Sequence, residues 1–315
     1  MNNLKKVGLT ALAGALVSVS ANAADISVTG GVSLNFSGEE KTMTGNGWSM
    51  NDGLTFKASG ELDNGWNVTA TQIIDSSDQT LGAVMDTRIL AIDMGDSGTL
   101  TFSGTGGSSV LAAIDDVTPN AGEESWDDVT GASAIPGGTG GDNMFHYSNS
   151  SLMDGVTVSA SYTPSNGSTE VESSTDYGIK YTGVDGLTVG LAAGTDETAP
   201  TATIDISNMY VTYAMDAFTV GYQATESDSE TASSDKDFTA IGISYAVSEE
   251  MSVSINTSTV DYESATLSDQ EAMGISVSYV MGSMTLKANH NTVDNIAGAS
   301  TDDRSGYALG LTFAF

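Results

Sequence analysis

The sequence predicts an all-β fold, a 16-stranded antiparallel β-barrel that spans a membrane. Three observations carry this. Apolar and polar residues alternate with period 2 along nearly the whole chain, the pattern of strands with two unlike faces. The gaps between these runs alternate long and short, as they do where one rim of a barrel has tight turns and the other larger loops. The last run sets Tyr307, Leu309, Leu311, Phe313 and Phe315 against Ala308, Gly310, Thr312 and Ala314, and it reaches residue 315 itself. A chain end in water tends instead to fray.

Taken in order, residues 1–23 (MNNLKKVGLTALAGALVSVSANA) read as a secretory signal peptide. Lys5 and Lys6 form the positive start, Val7 to Val19 the apolar stretch, and Ala21-Asn22-Ala23 the cleavage site. That stretch is too short and too broken by Gly and Ser to span a bilayer. No later segment approaches the ~18 uninterrupted apolar residues of a spanning helix. No Pro-rich or low-complexity linker divides residues 24–315, which read as one domain.

The 16 runs that follow cover 25–37, 50–62, 65–75, 86–94, 98–104, 142–149, 155–163, 174–182, 186–193, 204–214, 217–225, 236–247, 250–260, 269–281, 283–292 and 304–315. The fourth and tenth are the least cleanly patterned. In the second, Leu54, Phe56 and Ala58 take one face and Lys57 the other. In the eighth, Tyr177 and Ile179 oppose Lys180. In the eleventh, Phe218, Val220 and Tyr222 oppose Thr219, Gly221 and Gln223. In the thirteenth, Met251, Val253 and Ile255 oppose Ser252, Ser254 and Asn256; in the fourteenth, Ile275, Val277 and Tyr279 oppose Gly274, Ser276 and Ser278. In the fifteenth, Met284 and Leu286 oppose Lys287. The second face is built from small polar residues that cannot fill an interior. With its apolar faces inward, a barrel this wide would be hollow and dry, which close packing forbids. Apolar outside with a wet lumen is the arrangement that fits.

Tight turns are expected at Asp63-Asn64, Gly95-Ser97, Val184-Asp185 and Met215-Asp216, with Pro119, Pro136, Pro164 and Pro200 in the longer loops. Tyr162, Tyr181, Tyr213, Tyr245 and Tyr279 sit toward run ends and Trp66 just after a turn. These are places for an interfacial aromatic girdle or for ordinary β-propensity.

The formal net charge is −32 at pH 7, and all 41 carboxylates lie beyond the signal peptide. This acidity excludes nucleic acid as a partner for a basic face and favours cations. The absence of cysteine fits an exported protein that does not rely on disulfides. The gap at 105–141 is far longer than a simple connection and reads as functional. It carries Asp115, Asp116, Glu123, Glu124, Asp127 and Asp128 and no basic residue. Two unit charges 4 Å apart interact by about 4 kcal/mol at an effective dielectric near 20. Such a cluster therefore binds counterions such as Ca²⁺ or raises some of its own pKa values.

Several segments resemble the general bacterial porins, the trimeric diffusion channels of outer membranes. Thr87-Arg88-Ile89-Leu90-Ala91 is similar to that family's fourth strand and Gly98-Thr99-Leu100-Thr101-Phe102 to its fifth. Tyr147-Ser148-Asn149-Ser150, Asp154-Gly155 and the run ending at Tyr162 are similar to its sixth and seventh. Phe315 matches the terminal aromatic thought to be read by the barrel-assembly machinery. The resemblance implies a homotrimer in the outer membrane of a Gram-negative bacterium, in contact with its lipids and lipopolysaccharide. It also implies a third extracellular loop folded inward to narrow the pore, its acids facing basic residues on the opposite wall. Lys57 and Arg88 are the candidate wall basics, Arg88 turned inward by the resemblance alone. Gly140 or Gly141 stands where the family often has a further basic residue, and the Pro-Glu-Phe-Gly-Gly tip of enteric porins has no clear match. Lys180 and Lys287 complete the positive charge of the lumen. The expectation is a water-filled, cation-preferring pore for passive diffusion of small polar solutes and ions, since a ring of carboxylates concentrates cations.

A secreted adhesin or β-solenoid shares the export signal and acidity but not the terminal strand or the gap rhythm. A substrate-selective porin would line its lumen with aromatic or charged runs. Gly137 to Phe145 fits one copy of a Ca²⁺-binding nonapeptide, but such repeats act in stacks. Only His146 and His290 offer imidazole, with no serine, acid and oxyanion arrangement beside them, so no enzyme is expected.

Overall fold

A computed structural model describes residues 25–41, 46–75, 85–133, 140–165, 173–199 and 202–315. The signal peptide, Pro136 and Pro200 lie outside them. Sixteen strands form one closed antiparallel barrel. They are β1 (Asp25–Glu39), β2 (Trp48–Glu61), β3 (Asn67–Asp75), β4 (Met85–Asp93), β5 (Thr99–Thr105), β6 (Met144–Met153), β7 (Val156–Thr163) and β8 (Ser174–Val184). They continue as β9 (Leu187–Ala199), β10 (Ala202–Met215), β11 (Phe218–Ser229), β12 (Lys236–Ala246), β13 (Met251–Tyr262), β14 (Gln270–Met281), β15 (Met284–Asp294) and β16 (Arg304–Ala314). Each pairs with its chain neighbours, and β16 closes on β1 with Gly31 opposite Ala314. Phe315 extends the seam through two backbone bonds with Gly30, of 2.8 and 2.9 Å. A closed sheet has no free edge, and no helix of the described residues is long and apolar enough to cross a membrane. Closure also rules out the β-solenoid.

Every expected strand is present, in order. One expected gap is largely strand: β9 runs on to Ala199 and β10 begins already at Ala202. The backbone ladder is indifferent to side-chain polarity, so Thr195 and Asp205 still pair, with a side-chain bond of 2.9 Å, where the apolar stripe has ended. Two turns also sit one residue later than expected, at Asp185-Gly186 and Asp216-Ala217. Gly186 has φ +73, and a Cβ there would strike the carbonyl of Ala214, so only glycine fits the turn.

The apolar face is exposed at Val220, Ile255, Ile275, Leu309 and Phe313 and half-exposed at Val253, Val277 and Leu311. Tyr181, Tyr213, Tyr245, Tyr279 and Trp66 stand exposed on it at the short-turn end, and Tyr162 at the other. The opposite face is not uniformly small and polar, as the sequence suggested. At the long-loop end, the buried residues are Ile206, Phe238, Val260, Ala272 and Val293, while Asp205, Asp237, Asp261, Glu271 and Asp294 are exposed on the outside. The strand polarity inverts there without a break in period. Phe238, Val260, Ala272 and Val293 pack against Trp126 and Val129 of the segment between β5 and β6, with Trp126 edge-on to Phe238 at 5.3 Å, while Ile206 packs against Val110 and Leu111 of the same segment.

Candidate functional site

The segment after β5 leaves at Gly106, which has φ +68. It returns through a two-residue ladder pairing Gly107 with Gly141 and Ser108 with Gly140. Residues 109–133 lie along the buried face from β7 to β16. Val110 N donates to Ser161 Oγ at 2.9 Å and Leu111 N to Asp176 Oδ2 at 3.2 Å. Gln223 accepts from Val117 N at 3.2 Å and donates to the carbonyls of Ile114 and Asp115 at 3.1 and 3.0 Å. Ala121 N meets Ser254 Oγ at 2.8 Å, and Gln270 brackets Ser133 with bonds of 2.8 and 3.0 Å.

Backbone contact this close requires small wall residues. A Cβ on Gly242 would lie 2.6 Å from Pro119 O, and one on Gly306 would strike Asp128 O. Strand positions thus supply donors and acceptors to a segment whose own backbone pairs only in that two-residue ladder and in a few turns. Sequence reasoning placed Gln223 and Asn256 on the polar face without a role in seating the segment, and missed Asn208, Gln270, Asn289 and Asn291. The signal was present, because Asn is disfavoured in strands yet recurs here at one parity.

The six acids separate into two groups. Asp115 and Asp116 precede Pro119; burial, with the neighbouring Asp116 charge, pushes the Asp115 carboxyl up to about 6. Glu123, Glu124 and Asp127 bring their carboxylate oxygens within 4.8 Å of one another. Glu124 is buried, receives Asn120 Nδ2, and is pushed up to about 8 by burial and by Asp127. Glu123 is raised by burial despite Lys287 beside it, and Asp128 by burial despite the amide of Asn289.

The predicted basics are dispersed. Lys287 Nζ reaches Gly122 O at 3.2 Å and Glu123 at 3.7 Å, with both side chains about half exposed, a geometry of small energetic weight. Lys180 lines a cavity with Val110, Ile114, His146 and Tyr210. Lys57 lies on β2, opposite Ser27 and Thr71 and away from Phe56. Arg88 is a correction. It pairs with Gln72, which pairs with exposed Phe56, and its Cβ is 3.8 Å from a Cβ built on Gly104. Arg88 therefore shares the exposed face of Phe56 and Leu90, because pairing with β3 sets its parity while buried Thr87 takes the other side. A further basic residue, Arg304, binds Glu39 at 2.6 Å and Asp302 at 2.9 Å.

Comparison with curated protein sequences found no match. Among solved structures, the anion-selective porin of Comamonas acidovorans superposes with TM-score 0.73 at 12% identity, covering 93% of this chain and 100% of that one. A loop-deletion mutant of OmpT, an outer membrane protein of Vibrio cholerae, gives 0.70 at 15%, covering 93% and 100%. A triple mutant of the Rhodopseudomonas blastica porin gives 0.65 at 16%, covering 92% and 100%. At these identities the likeness establishes the barrel. The family model for Gram-negative porins matches residues 8–267, most of the chain, and with the closed 16-stranded barrel it shows that this chain belongs to the Gram-negative porin family.

Proposed function

We propose that the chain forms a water-filled, cation-preferring pore for passive diffusion of small hydrophilic solutes and ions. An outer-membrane porin follows from the family and the barrel. In the finer reading, the buried face is the lumen wall and residues 106–133 narrow the passage. The observation that carries it is the line of hydrogen bonds seating the acidic segment on β7 to β16. Its carboxylates then border the free lumen, with Lys57 on the far wall. Such a border concentrates cations and repels anions. The anion-selective relative shares only the fold, and selectivity is decided by side chains.

Export with removal of residues 1–23, insertion by the assembly machinery through Phe315, contact with lipopolysaccharide and assembly as a homotrimer belong to the same proposal. Arg88 supports the last. A lipid-facing arginine costs up to about 2–4 kcal/mol near the midplane, and a subunit contact relieves that cost. Reversal potentials across a tenfold KCl gradient in planar bilayers test the pore. Cation preference that rises in Lys57→Glu and falls in Asp116→Asn/Glu123→Gln is expected; anion preference in the unmodified protein refutes the reading.

A further inference from the structure

Beneath the acidic turn, the wall presents two amide oxygens that bind nothing. Asn256 on β13 and Asn291 on β15 are the register partners of Gly274 on either side. They are 3% and 0% exposed. Their nitrogens are committed to the turn: Asn291 Nδ2 donates to the carbonyls of Glu124 at 2.8 Å and Asp127 at 2.7 Å, and Asn256 Nδ2 to that of Glu123 at 3.4 Å. Flipping either amide would set oxygen against oxygen, so these carbonyls fix the orientation. Both Oδ1 atoms are left without a hydrogen-bond partner. They converge over Gly274, 2.5 and 2.6 Å from where a Cβ would stand, and Ser125 Cα closes the space at 3.0 Å. Two buried acceptors without a protein partner call for a donor or a cation beside them.

Ser125 is the middle residue of the turn that carries Glu123, Glu124 and Asp127, whose ligand oxygens lie within 4.8 Å of one another. Lys287 balances one of these charges at most, and only from a half-exposed position. Carboxylates, amide oxygens and backbone carbonyls are the donor set of a hard divalent ion, and Ca²⁺ accepts six to eight such oxygens in irregular geometry, some through water. We propose that the Glu123–Asp127 turn and the Asn256–Asn291 pair beneath it form an all-oxygen divalent-cation site fitted to Ca²⁺. The ion clamps the segment to β13–β15 and offsets two of its negative charges. Binding does not depend on the channel reading; its effect on ion preference does.

The test uses the full-length protein in detergent after chelator treatment, with Tb³⁺ as the probe and Trp126 as its sensitiser. Saturable emission is expected, displaced by Ca²⁺, unchanged in Asp228→Asn on the outer face, and weakened at least tenfold in Glu124→Gln/Asp127→Asn and in Gly274→Ala. Emission that never saturates, or that is the same in all variants, overturns the proposal. Calorimetry of Ca²⁺ with the unmodified protein needs no variant. Saturable heat with about one Ca²⁺ per chain is expected; the absence of any Ca²⁺ heat overturns the site. Bilayer recordings in Ca²⁺ and in chelator then separate the two readings: loss of conductance sinks the pore and leaves the metal result standing.

Discussion

Gln223→Leu isolates the interaction that seats the first half of the acidic segment. Gln223 is fully buried, and its amide satisfies three backbone groups at once: Val117 N–H and the carbonyls of Ile114 and Asp115. Leucine preserves volume and removes all three bonds. Each buried backbone group left unpaired costs about 1–3 kcal/mol, so the docked segment loses at least ~3 kcal/mol relative to an open one, in which water satisfies the same groups. At 1.4 kcal/mol per factor of ten, that is about a hundredfold in the docked-to-open ratio. Hydrogen–deuterium exchange followed by peptide mapping reads this directly. Protection of residues 113–120 should fall by about two orders of magnitude, while peptides from β12 to β15 keep theirs. Unchanged protection of 113–120, or an equal loss across the barrel, would refute the argument that this side chain holds the segment.

Three further outcomes follow from the same geometry. Acidification from pH 8 to pH 5 neutralises Glu124, whose carboxyl titrates near 8, and Asp115, near 6, so cation preference measured by reversal potential should fall toward unity. Because these pKa values are raised on folding, the stabilising contribution is fully present below the unfolded values and lost as pH rises through about 6 and about 8. Protection of the segment relative to the intrinsic exchange rate at each pH should therefore rise on acidification. Gly306→Val forces a side chain against the backbone of Asp128, where no rotamer relieves it; overpacking of about 1–3 kcal/mol should lift 126–130 off the wall and change single-channel conductance. Glu39→Ala removes one of the two carboxylates that hold the half-buried Arg304, the one met at 2.6 Å, leaves Asp302 in place, and removes the acceptor of Thr130 Oγ1. A cost of about 1.5–3 kcal/mol should appear as a lower urea midpoint for unfolding of the barrel.

The number, order and pairing direction of the strands were legible in the residues, as was the face each side chain takes on β2, β8, β11, β13, β14 and β15. Period 2 is a local property, and the exposed stripe of Phe218, Val220 and Tyr222 announces itself within five positions. The length and acidity of the segment after β5 were equally plain. What tertiary structure alone decided lies where distant chain segments meet. Arg88 takes the outer face because Gln72 and Phe56 extend a parity across three strands. Phe238, Val260 and Val293 turn inward with Asp237, Asp261 and Asp294 outside because Trp126, more than 100 residues earlier, covers them. Asn256 and Asn291 meet over Gly274 because three adjacent strands place them in one row. Alternation states that two faces differ; only closure of the sheet decides which distant backbone each face will touch.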